Sequence, residues 1–205
     1  MFTRFVFLVC FLTAGTWAWA QQPVVQIKKI ETTLEAAPRY QASVQIQKPQ
    51  PDSNRKWLMV EAELETLPDW CEELQVRFYV VANYGSQARE RSPDGFDILS
   101  ANVAVVNVPK GRKNVVPVFM DANTVRKYGA ISKDQFVPQV AVMVYYRGVL
   151  QDTQWMTNAR KGERFWEQKQ PIGGVLLNLL QSPWWPAFSE YYEQVKPMGG
   201  GVAAP

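Results

Sequence analysis

A period of two runs through most of this chain, and it centres on FVPQVAVMVYYRGVLQDTQW, residues 136–155. Val140, Val142, Val144 and Tyr146 fall on one side of that period, and Ala141, Met143 and Tyr145 on the other. Arg147-Gly148 then makes a turn of hairpin length, and Val149, Gln151, Thr153 and Trp155 alternate with Leu150, Asp152 and Gln154 beyond it. Both sides of the first arm are apolar. The pattern therefore predicts a central hairpin covered on both faces, by a sandwich core on one and by some other part of the chain on the second.

Six more segments of the same kind precede the hairpin. Val25, Ile27 and Ile30 begin the first, and Tyr40, Ala42, Val44 and Ile46 alternate with polar residues in the next. After a Pro/Asp/Ser/Asn loop over 48–56, Leu58, Val60, Ala62 and Leu64 point inward while Met59, Glu61, Glu63 and Glu65 point out, with Arg77 a cross-strand partner for the glutamates. A bend at Pro68-Asp69 leads into the strand Leu74, Val76, Phe78, Val80, Ala82, followed by a long polar loop over 85–96. Strands over 98–108 and 115–119 are joined by a turn at Pro109-Lys110-Gly111, and Pro117 assigns the second of them to an edge or a bulge. Asp121 caps a short helix that stops at Gly129. Eight strands with no long helix between them predict a mainly β fold: an antiparallel immunoglobulin-like β-sandwich over 21–160 with a C-terminal helical appendage.

The period changes after residue 160. Ser182 offers a cap, Pro183 a first helical position, and a helix over 183–196 would align Trp184, Phe188, Tyr192 and Val195 with Tyr191 beside them. This stripe is the natural cover for the second face of the hairpin. The alternative reading is a docking surface, in which Trp184, Trp185, Phe188, Tyr191 and Tyr192, with Met143 and Tyr145 of the hairpin, form the candidate partner interface. The appendage spans 161–197, and 198–205 is a flexible tail.

Residues 1–20 carry one basic residue, an apolar run shorter than a bilayer needs, and Ala18 and Ala20 around Trp19. They predict a signal peptide cleaved after Ala20 and an exported protein of the periplasm, outer cell surface or extracellular space. Cleavage removes Cys10, so Cys71 has no internal disulfide partner and packs as a small apolar residue. The chain has no histidine. That removes the usual base of serine and cysteine triads and the imidazole ligands of zinc, copper and iron sites. No catalytic, cofactor or metal site is read, and the protein is expected not to be an enzyme. With a formal charge of +3 spread among acidic residues, nucleic acid is not an expected ligand. Membrane contact is at most peripheral.

From QIKKIETT through the hairpin to SPWWPAFSEYYEQV, the mature chain resembles small secreted immunoglobulin-like proteins associated with the type IV pilus-like system of mucus-colonising Verrucomicrobia. The resemblance implies a noncatalytic role and a fold similar to that of archaeal pilins. The leader departs from the short charged prepilin pattern with its long hydrophobic helix, so the implied role is an accessory or surface-associated assembly component. It would act through protein partners in the cell envelope, with self-association into a homo-oligomer. An alternative is a carbohydrate-binding sandwich using Trp57, Trp70 or Trp166 as stacking platforms. A third, carboxylate-dependent hydrolysis, would need Asp94, Asp97 or Asp121 to face one another across a cleft.

Overall fold

Two long strands run through the whole fold and serve both of its layers. The structure, a computed structural model, describes residues 23–38, 55–83, 95–128, 139–156 and 164–197. The leader with its cleavage point, the strand expected over 40–47, most of the loops at 48–56 and 85–96 with Asp94, the helix stop at Gly129 and the tail lie outside the described residues. In chain order the elements are β1 (Val25–Ala36), β2 (Lys56–Asn83), β3 (Phe96–Met120), α1 (Ala122–Lys127), β4 (Gln139–Tyr146), β5 (Val149–Trp155), β6 (Ile172–Gly173), β7 (Leu176–Asn178) and α2 (Trp185–Phe188). Short 3-10 turns occupy Phe165–Glu167 and Leu179–Gln181. The sheet order is β5-β4-β2-β3-β6, with β1 also on β2 and β7 also on β3; all pairs are antiparallel except β3–β6.

The mainly β, antiparallel, sandwich-like architecture is the expected one, but the strands are divided differently. The two segments on either side of Pro68-Asp69 are one strand, and so are the two on either side of Pro109-Lys110-Gly111. The β2–β3 ladder runs from Leu58↔Met120 to Asn83↔Phe96 and jumps from Thr66↔Gly111 to Trp70↔Pro109. Pro68-Asp69 thus lies in a bulge of β2 opposite Pro109-Lys110-Gly111, and β3 carries its own extra residue at Lys113.

That double bulge folds the sheet over on itself. Leu64 and Val76 are twelve residues apart on β2, about 40 Å in an extended strand. Yet β1, which pairs with the first half of β2 at Ile27↔Leu64, reaches β5, which lies beyond β4 and its Val144↔Val76 pair. The Ile27 N–H donates to Asp152 Oδ2 at 2.9 Å and the Val24 N–H to Gln151 Oε1 at 3.0 Å. On β3 the bend is carried by positive φ at Asn107 (55°), Gly111 (146°) and Lys113 (88°). At its centre Thr66 and Asn114 are buried, and the Thr66 hydroxyl donates to Pro109 O while accepting from Gly111 N and Asn114 Nδ2.

The main core lies between the two halves. Leu58, Val60, Ala62 and Leu64 from the first half of β2 meet Leu74, Val76, Phe78 and Val80 from the second, with Val140, Val142 and Val144 of β4 in the same cluster. Cys71 is fully buried there as a free thiol, and burial pushes its pKa up. The hairpin turn is as expected, with φ of 50° at Arg147 and 77° at Gly148. Pro117 lies one residue beyond the last β7 pair, Val118↔Asn178, at an edge of the ladder. Asp121 caps α1 by accepting from the Asn123 and Thr124 N–H groups.

Each half has its own aromatic cover on its outer face. On the β4 half, Phe165 and Trp166 lie over Ala141 and Val81, with Met143 and Tyr79 packed against them. Lys169 ties this cover to the sheet, donating to Phe96 O at 3.0 Å and pairing with the buried Asp97 at 3.3 Å, which also accepts from Tyr128 Oη. The cover for the second face of the hairpin is therefore the 3-10 turn and not the segment 183–196. That segment covers the other half.

Candidate functional site

The expected helix over 183–196 exists only as α2, four residues long, followed by turns and then an extended stretch. From residue 193 onward tertiary pairing outcompetes helix formation: Glu193 N donates to Val115 O, Val106 N to Gln194 O, and Lys196 N to Ala104 O. One strap of chain thereby bonds both halves of the folded β3, with Val105↔Val195 as an isolated bridge.

Before that, the strap wraps the outer face of the β1–β2 half. Ser182 Oγ accepts from Trp184 N and donates to Leu179 O, which fixes the entry of the chain. Trp184 is buried, stacked on Phe119 with ring centroids 5.0 Å apart and edge-on to Trp57 at 5.7 Å. Tyr192 is buried over Met59 and Glu61. Its hydroxyl lies 3.4 Å from Met59 Sδ and hydrogen-bonds Glu61; with one proton to give, it serves the carboxylate, the stronger acceptor. Burial and Glu61 together push the Tyr192 phenol well above its ordinary value, so it stays a donor.

The seven expected interface residues are thus divided. Trp184 and Tyr192 are anchors inside the monomer, and Met143 and Tyr145 are half-buried, Met143 beneath the Phe165-Trp166 cover. Trp185, Phe188 and Tyr191 are 39%, 40% and 65% exposed. Phe188 and Tyr191 each touch the Tyr192 ring, at centroid distances of 6.4 and 4.9 Å. Three large rings are presented to solvent on a strap whose neighbouring residues are locked down.

Of the three proposed sugar platforms, Trp57 is engaged by Trp184, and Trp166 is buried among Tyr79, Phe165 and Trp155. Trp70 alone stays open, at 64%. The carboxylates are committed as well: Asp97 to Lys169 and Tyr128, and Asp121 to its helix cap. Burial raises the Asp121 pKa, but hydrogen bonds from the Thr124 hydroxyl and the Asn123 and Thr124 amides, with Arg55 nearby, hold it below the usual range. The outward glutamates do not meet Arg77. Glu65 pairs with Lys28 and Arg112, and Arg77 lies over the Tyr145 ring at 4.7 Å. Among the described residues no group of histidine, cysteine or carboxylate side chains has the arrangement of a metal site.

Under the strap, burial raises the pKa of Glu61 and of Glu193, with Glu31 and Glu35 adding repulsion at Glu61. A carboxyl whose folded value lies above its unfolded one costs stability when ionised, and that cost disappears as pH falls through the folded value toward the unfolded range. Glu61→Gln is therefore expected to raise the thermal midpoint near pH 7, with the gain shrinking to nothing by about pH 4. Melting curves across that range check it.

The fold is shared with a crystal structure of a protein from Akkermansia muciniphila, similar over 84% of this chain and 92% of that one, with a TM-score of 0.69 and 20% identity. At that identity the likeness is one of fold. No curated protein matches the chain. One protein-family model, described only as "-like", matches residues 16–198. That span takes in every described element from β1 to the strap, and the chain belongs to this "-like" family.

Proposed function

We propose that the protein is an exported, noncatalytic component of a pilus-like system in the cell envelope, acting in assembly or surface association through protein–protein contacts. The observation that carries this reading is the exposed trio Trp185, Phe188 and Tyr191 on an anchored strap. Aromatic side chains held by buried neighbours bind without the entropy cost of ordering a loose segment, which is the character of an interface hot spot. The leader sequence supports export. The structural likeness to a protein from Akkermansia muciniphila, a member of the Verrucomicrobia, supports the bacterial group to which the sequence resemblance pointed.

The test is capture from an envelope extract with the mature chain. Replacing Trp185, Phe188 and Tyr191 together by alanine is expected to leave the fold intact, each exposed change costing about 0.5 kcal/mol or less. It is expected to weaken partner capture at least about tenfold, the scale of losing one hot-spot residue. If the partner is a second copy, sedimentation of the variant shows monomer where the parent chain associates. Undiminished capture by the folded variant would overturn the assignment of this surface.

A further inference from the structure

On the outer face of the β4 half, beside the β6–β7 turn, the fold encloses a groove of about 510 Å³ that no part of the strap fills. Its floor is set by register. Arg77 pairs with Asn102 and Tyr79 with Ser100, which puts these four side chains in a two-by-two block on one face of β2 and β3. The wall is β6–β7 with Asn178 and Gln181.

Among the described residues, the groups there are donors without a counter-charge. Asn178 Oδ1 and Gln181 Oε1 are occupied by each other's backbone N–H at 3.2 and 3.1 Å, which leaves the two amide NH₂ groups to donate. The main chain adds to the set. On the free edge of β3, Val106 and Ala104 bond to the strap, and by strand alternation Asn102 is the next residue facing that edge. Arg77 is exposed, held over the Tyr145 ring, and among the described residues has no carboxylate partner. No acidic residue is among the described residues that line the groove.

One guanidinium among amides and a hydroxyl suits a ligand with one carboxylate and several hydroxyl groups. A polyphosphate or nucleic acid would require more than one cation. An apolar peptide side chain would find polar groups on the floor, whereas the Tyr79 ring, backed by Trp166 at 6.2 Å, offers a surface for the carbon face of a sugar. We propose that this groove binds a carboxylate-bearing sugar, a uronate or a sialate residue, with Arg77 taking the carboxylate. This site is separate from the strap and does not rest on the pilus reading.

Binding of glucuronic acid and N-acetylneuraminic acid to the full chain, followed by NMR shift titration, tests it. The comparison ligands are glucose and the methyl ester of each acid. The expected result is saturable binding of at least one acid, with its ester and glucose at least about tenfold weaker. Arg77→Gln and Asn102→Asp each abolish that preference. Both positions are exposed, so the thermal midpoint stays put; if one variant is poorly folded, the other decides. Trp70→Ala and the alanine trio on the strap leave binding unchanged, which separates this site from a Trp70 platform and from the partner interface. Acid and ester binding alike, binding that survives both groove variants, or no shift from either acid up to about 10 mM would overturn the proposal.

Discussion

Thr66→Val is expected to lower the free energy of unfolding by about 3 kcal/mol, seen as an earlier urea midpoint with an unchanged slope. Valine matches threonine in shape, so no cavity opens and the loss is purely polar. A threonine hydroxyl has one proton and two lone pairs, and at Thr66 all three are used: by Pro109 O, by Gly111 N and by Asn114 Nδ2. Asn114 and Pro109 retain each other at 3.1 Å after the change, but the Gly111 N–H is left without its partner at a buried hydroxyl position. Thr66→Ser keeps the hydroxyl and is expected to cost about 1 kcal/mol, the scale of one buried methyl group. A Thr66→Val midpoint equal to that of the parent chain would mean that the bend holds itself by other means. The site matters because this bend brings the two halves of the sandwich together.

What the sequence could and could not reveal follows from the same geometry. The hairpin was legible because a two-residue turn with positive φ at both positions has a short, local signature in Arg147-Gly148. The inward rows Leu58 to Leu64 and Leu74 to Val80 were legible because strand periodicity is local too. Pro68-Asp69 and Pro109-Lys110-Gly111 carry turn chemistry equally well when they reverse a chain and when they bulge it. Only their mutual pairing, Trp70↔Pro109, tells the two apart, and that is a contact between residues far apart in sequence. The strap shows the converse case. Its spacing aligned Trp184, Phe188, Tyr192 and Val195, of which Trp184, Tyr192 and Val195 are buried and Phe188 is exposed, while the helix inferred from that spacing gave way to pairing with β3. Phe165-Trp166 had no period at all to announce it as a cover. The groove at Arg77 draws on β2, β3 and the C-terminal turns, so no linear pattern contains it.

The second large effect concerns Trp184. Trp184→Ala is expected to cost about 3–5 kcal/mol, because it removes a buried ring stacked on Phe119 and leaves a void the rigid sheet cannot close. The consequence for function differs from that of the exposed residues beside it. Trp184 O accepts from the Ala187 and Phe188 N–H groups, and its ring is the first anchor of the strap after Ser182. Without that anchor, the run from 185 to 191 is held only at its C-terminal end, by the Tyr192 ring and the bonds of residues 193–196 to β3. Limited proteolysis should then cut Trp184→Ala within 185–192 at protease levels that leave the parent chain whole. The trio variant should lose partner capture with no new cut, and Trp184→Ala should lose it together with one. If Trp184→Ala is cleaved yet captures the partner as well as the parent chain does, order in the strap is irrelevant to binding, and the contact must be made elsewhere on the sandwich.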